Sequence, residues 1–190
     1  WFRWGAAFTW VTGVLLLLML FYHSKLALQD PDAGFGMGSL LMIALVFAAP
    51  FIYDPLAKTA LKDPQTAFGA GVVLATIVLF LFQYVGGFGF RGYSIHLGTM
   101  FGTIMAFNVW FRIWPAQREI IAATKNGTAP DPAVVALAGL RSKHNTYMSV
   151  PLLFMMTAQH STWAASPIML GVIVLVGFAL AYHVYDRATK

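Results

Sequence analysis

An all-α, polytopic integral membrane bundle, with about six transmembrane helices, is the fold this sequence predicts. Hydrophobic residues make up 59% of the chain and charged residues only 10%, where soluble domains carry roughly 25% charged residues. Mean hydropathy is +0.71. The apolar residues also gather in runs. Crossing about 30 Å of hydrocarbon takes ~20 helical residues, and the polar residues fall between runs of about that length. A single transmembrane domain over residues 1–190 follows, without a soluble domain, a low-complexity tract or a clear internal repeat.

The first helix is expected at about residues 5–26, with VLLLLMLFY at its centre, His23 near its far end and Trp1, Trp4 and Trp10 placed for an interfacial belt. A short loop over 29–36 follows. The second helix, about 38–53, is expected to end at Pro50 and at Asp54-Pro55, because proline breaks the helical hydrogen-bond ladder. The third, about 66–84, ends in the glycine-rich turn GGFGFRG, where Gly86-Gly87 reads as a turn. The fourth, about 93–114, has His96 in its first turn and Pro115 just beyond it. Residues 116–143 are expected to form a long polar loop with a short surface helix at 133–140. The fifth helix, about 145–159, contains Pro151, and the sixth, about 167–185, has His183 near its end. The chain opens WFRW with no initiator Met, so an N-terminal part is expected to be missing.

Orientation follows from the basic residues, which favour the cytoplasmic side. Arg3, Lys58, Lys62, Arg112, Arg118, Lys125, Arg141, Lys143, Arg187 and Lys190 fall on the face of the N-terminus, side A. Only Lys25 and Arg91 fall on the other, side B. Ten against two places both visible termini in the cytoplasm, with the chain in a bacterial inner membrane. The same distribution, at helix ends and in loops, removes nucleic acid as a partner. The absence of cysteine excludes disulfides, iron–sulfur ligation, zinc–thiolate sites and a covalent c-type haem within this chain. No carboxylate is expected deep in a helix, which argues against an ion pump with a midplane relay.

Five histidines remain. His144 and His183 sort to side A; His23, His96 and His160 sort to side B. Ionisable residues within membrane spans are costly and usually functional, and neutral imidazole is the usual nitrogen ligand of haem iron. One reading is therefore a b-type haem near one or each face, with His96 and His160 ligating one and His144 and His183 the other, and with His23 as alternative partner on side B. The other reading leaves them as interfacial histidines bonded to backbone carbonyls or headgroups. Gly98, Gly102 and Ala106 form a small-residue ridge suited to helix packing. Met148, Met155 and Met156 read as packing residues before axial ligands. Asn108 and Gln159 are expected to make interhelical hydrogen bonds.

Residues 96–118, HLGTMFGTIMAFNVWFRIWPAQR, then PDPA at 130–133 and RSKHNTYMSVPLLFMMTAQH at 141–160, resemble the membrane domain of the bacterial membrane-bound urate hydroxylase family (urate oxidase N-terminal domain). The opening WFRWGAAFTWVTGVLLLLMLFYH is similar to an internal helix of that domain. The resemblance implies a protein of about eight membrane helices followed by a cytochrome c domain, implicated in oxidising urate to 5-hydroxyisourate and passing electrons to the respiratory chain. It covers His96, His144 and His160, and less firmly His23 and His183. The sequence departs from the pattern in having no CxxCH motif and no helix ahead of WFRW.

Three functions stay open from the sequence. The first is an electron-transfer module holding haem b, with a cytochrome c or quinone as partner. The second is a urate-oxidising hydroxylase. The third is an accessory membrane subunit of a larger respiratory or photosynthetic complex without a cofactor.

Overall fold

The computed structural model describes residues 1–161 and 165–188; the side chains of Pro64, Gln65 and Gln159 lie outside the described set, as does the hydrogen-bonding expectation for Gln159. Among the described residues the regular structure is helical, apart from one isolated β-bridge between Leu28 and Phe88. The helices are α1 (Phe2–Leu16, continued by a π-helical segment, Leu17–His23), α2 (Met37–Lys58), α3 (Pro64–Tyr84), α4 (Phe90–Asn108, continued by a π-helical segment, Val109–Ile113), α5 (Trp114–Lys125), α6 (Pro132–Thr157, ending in a 3₁₀ turn, Ala158–His160) and α7 (Pro167–Ala188).

Four of them are long and apolar enough to cross a membrane: Phe2–His23, Met37–Lys58, Thr66–Tyr84 and Pro167–Ala188. A span of 22 residues rises roughly 33 Å. The other two membrane-length helices, α4 and α6, are less apolar because they stand at the centre. α4 packs on α1, α2, α3 and α6, and α6 packs on α4, α5 and α7. His96, Thr103 and Asn108 of α4 and Arg141 and His144 of α6 are buried among protein partners. Peripheral helices face lipid and must be apolar there; central helices can carry polar groups because neighbouring side chains satisfy them.

Three boundaries differ from the sequence expectation. α2 runs through both Pro50 and Pro55 to Lys58 instead of stopping at Pro50 or Asp54. α4 does not end at Trp114; it passes through the π-helical segment into α5, so the expected loop begins as helix. The proline rule fails there for a local reason. Pro115 cannot donate to the Phe111 carbonyl one turn back, and Arg112 Nη1 donates to that oxygen at 3.1 Å. Finally, the expected surface helix and fifth helix are one element, α6. Asp131 caps it by accepting from Ala133 N at 2.8 Å, with Pro132 at its first position, where no donor is needed. Pro151 inside it lies against Gly177 of α7, where an added Cβ would stand 3.2 Å from Pro151 Cδ.

At side B the loop after α1 and the turn before α4 tie together. Gln29 N donates to Gly87 O at 2.9 Å and Gly89 N to Ala27 O at 3.0 Å. Gly87 takes φ +65°, a value glycine adopts without penalty. Gly92 then lets α4 approach so closely that a Cβ would lie 1.9 Å from the Ala27 carbonyl oxygen. The small-residue ridge packs as expected: Gly98 faces Met155 and Gly102 faces Leu152, both on α6. Met148 and Met155 are core residues, while Met156 is exposed.

Candidate functional site

Two of the five histidines are inside the bundle, one near each face, and each is held by a tyrosine. His96 is fully buried. Its Nδ1 lies 2.7 Å from Gly92 O. A carbonyl only accepts, so Nδ1 carries the proton and Nε2 is left as acceptor. The Tyr22 hydroxyl donates to that Nε2 at 3.0 Å. Phe88 stacks on the imidazole at 4.1 Å between ring centroids, and the ring borders neither of the two principal cavities.

At side A, His144 Nδ1 lies 2.7 Å from the Tyr53 hydroxyl. The hydroxyl's other partner, Asn108 Nδ2, can only donate, so the phenolic proton goes to Nδ1, which accepts it. The Tyr53 oxygen in turn accepts from Asn108 Nδ2 at 3.2 Å. Asn108 Nδ2 also donates to Asn145 Oδ1 at 2.8 Å, and Asn145 Nδ2 donates to Met105 O at 3.2 Å. The interhelical bonding expected of Asn108 is therefore present and links α2, α4 and α6.

Next to this chain of hydrogen bonds sits an ion cluster that is buried at Asp54 and Arg141 and open to solvent at Lys58. Asp54, mostly buried on α2, pairs with Arg141 Nη2 at 2.8 Å, with Arg112 Nη2 at 2.5 Å and with Lys58 Nζ at 2.8 Å. Arg141 has no solvent exposure at all, and its guanidinium lies over the Tyr53 ring at 5.1 Å. It is a buried ion-pair partner as well as a basic residue at the end of the bundle, and its Nε and Nη1 have no hydrogen-bond partner among the described residues. Three cations meet one carboxylate, so the cluster retains positive charge.

The other three histidines are exposed: His23 at the end of α1, His160 in the turn after α6, and His183 on α7. The turn carrying His160 packs against α4, yet the His160 side chain points out while His96 is engaged by Tyr22. Among the described residues no two histidines contact each other, and no group of three or more His, Cys, Asp or Glu could hold a metal ion. A bis-histidine haem needs two imidazole nitrogens aimed into one gap. Both His96 nitrogens are occupied and its ring face is covered, so that site does not fit. His144 borders a cavity of about 210 Å³, below the roughly 300–1,000 Å³ of typical cofactor sites. A larger groove of about 950 Å³ between α1, α4 and α6 has no histidine in its lining. The side chains as arranged do not fit a haem at either expected pair.

Sequence reasoning missed Tyr22, Tyr53 and Asp54. Asp54 was read as a helix-end residue, and its partner on α6, Arg141, shows only in the three-dimensional arrangement. The usable signal was the surplus of polar residues at 141–145 inside an otherwise apolar segment. The small cavity is lined by α2, α3, α4, α6 and α7, with His144, Tyr53 and Tyr147 on an otherwise apolar wall that includes Ala49, Phe68 and Phe101.

Comparison with known proteins gives one match. A family model described as urate oxidase N-terminal covers residues 1–189. No curated protein and no solved structure matches.

Proposed function

The chain belongs to the urate oxidase N-terminal family, and we propose on that footing that it is the membrane-embedded redox module of a urate-oxidising system. In this reading urate and water give 5-hydroxyisourate, two electrons and two protons, and the electrons leave toward a quinone or a cytochrome c. The supporting observation is the Tyr53–His144 pair beside the Asp54 ion cluster. Tyr53 holds its proton 2.7 Å from an imidazole acceptor, a geometry in which a proton moves without rearrangement. The surplus positive charge of Arg112, Arg141 and Lys58 over Asp54 favours an anionic substrate such as urate at the side-A end. No step of the reading passes through haem. The bias of basic residues supports a bacterial inner membrane with side A in the cytoplasm.

One observation favours an accessory-subunit role beside this one. The groove of about 950 Å³ has small residues from three helices in its lining, Gly5 and Gly13, Gly102 and Ala106, and Ser149, beside larger apolar ones such as Trp10 and Phe21, and such small residues suit close packing of another membrane helix. The two readings separate on chemistry. Membranes of a host expressing the chain should show urate-dependent reduction of quinone or cytochrome c that matched membranes without it lack. Equal rates in both membranes would leave only the accessory role.

A further inference from the structure

We propose that Asn145 and Asn108 are positioning residues that fix the tautomer of His144, keeping its proton on Nε2 and leaving Nδ1 to take the proton of Tyr53. What this does for catalysis rests on the redox reading above. The tautomer itself follows from the direction of each hydrogen bond in turn.

The chain of bonds starts at a group that cannot be reversed. The Met105 carbonyl only accepts, and it has two lone pairs. One takes the Val109 N–H along α4, and the other takes Asn145 Nδ2 at 3.2 Å. With its amide nitrogen turned to that carbonyl, Asn145 offers Oδ1 to Asn108. Asn108 meets it with Nδ2 at 2.8 Å. The same Nδ2 lies 3.2 Å from the Tyr53 oxygen. An amide nitrogen does not accept, so the phenol oxygen accepts, and its own proton is left for His144 Nδ1 at 2.7 Å. A neutral imidazole that accepts at Nδ1 carries its proton at Nε2.

No turned-over amide fits. Rotating Asn108 by half a turn would set its Oδ1 against Asn145 Oδ1. Rotating Asn145 as well would set that oxygen against Met105 O. Each arrangement brings two acceptors face to face. A backbone carbonyl of α4 therefore decides, through two amides and a phenol, which nitrogen of His144 holds the proton. Without it the Tyr53–His144 bond could run either way, and only one direction lets the imidazole receive the phenolic proton.

The arrangement has a visible cost at Asn108. Its side chain is fully buried. Its amide nitrogen serves Tyr53 and Asn145, while its Oδ1 has no hydrogen-bond partner among the described residues. Buried polar atoms are nearly always paired, and leaving one unpaired is destabilising. A residue needed only to pack α4 would do better as an apolar side chain of the same size. What asparagine adds here is the pair of donors aimed at Tyr53 and Asn145.

The test is nitrogen NMR of the full chain in lipid nanodiscs with isotope-labelled histidine rings, the His144 signals being those absent from His144→Gln. Wild type should carry the His144 proton on Nε2, with Nδ1 bare. Asn108→Asp sets carboxyl oxygens where the donor stood, so Tyr53 should turn its proton to them and His144 should bear a proton on Nδ1. Asn145→Leu frees the Asn108 amide to turn over, so both His144 tautomers should appear. A wild-type proton on Nδ1 would overturn the proposal. So would a His144 proton that stays wholly on Nε2 in either variant. Urate takes no part in these spectra, so failure of urate-dependent electron flow in wild type would leave the tautomer assignment standing. Urate-dependent quinone reduction should fall about 100-fold in Asn108→Asp, as for loss of a positioned proton-transfer group. A proton moved to Nδ1 with undiminished reduction would overturn the redox reading and leave the tautomer assignment in place.

Discussion

Tyr53 on α2 donates its phenolic proton to His144 Nδ1 on α6 across 2.7 Å, and the same oxygen accepts from Asn108 on α4. One phenol thus ties three helices of the bundle together. Tyr53→Phe removes both bonds and leaves the buried imidazole nitrogen without a donor. The expected loss is about 1–3 kcal/mol, read as a lowered melting temperature in detergent. A variant as stable as wild type would mean that the bond contributes nothing net.

Asp54 neutralises a guanidinium that has no access to solvent. Removing one partner of a buried pair costs about 3–5 kcal/mol, whereas replacing the buried charges with apolar groups of similar volume is often close to neutral. Asp54→Asn should therefore be strongly destabilising, and adding Arg141→Met should recover most of the loss. A double variant no more stable than Asp54→Asn alone would show that the two residues are not coupled.

The fold was largely legible in the sequence, and the site was not. Long apolar runs gave α1, α2, α3 and α7 because facing lipid constrains every outward residue. The helix ends were misjudged at Pro50, Pro55 and Pro115; at Pro115 Arg112 donates to the carbonyl the proline leaves unpaired, and no local pattern reports such compensation. Five histidines drew attention as a set, yet only His96 and His144 are buried. Their partners, Tyr22 and Tyr53, are 74 and 91 residues away in sequence. Periodicity cannot pair helices, so the tyrosines stayed hidden until α1 and α2 were placed against α4 and α6.

Close approach at side B gives a third expectation. An added Cβ at Gly92 would stand 1.9 Å from the Ala27 carbonyl oxygen, whereas at Gly13 it would meet nothing within 4 Å. Gly92→Ala should push α4 from the loop after α1 and disturb the carbonyl that orients His96. Gly13→Ala should leave the stability within about 0.5 kcal/mol of wild type, and so the melting temperature little changed, as is usual away from packed positions. Similar melting temperatures for the two variants would contradict the packing described here.

Topology is open to direct labelling. With side A cytoplasmic, a cysteine at Arg91 should react with a membrane-impermeant thiol reagent in intact cells, and one at Lys125 should react only after lysis. The chain has no cysteine of its own to interfere. The opposite labelling pattern would invert the orientation.

The proposed redox reading puts the chemistry at His144 and none at the exposed histidines. Its most direct test is urate-dependent quinone reduction in membranes carrying wild type, His144→Gln, His160→Ala or His183→Ala, each at equal inserted protein. The expected result is loss of at least about 100-fold in His144→Gln, the lower range of a positioned proton-transfer group, with His160→Ala and His183→Ala close to wild type. Full activity in His144→Gln, or loss of activity in His160→Ala or His183→Ala, would contradict it.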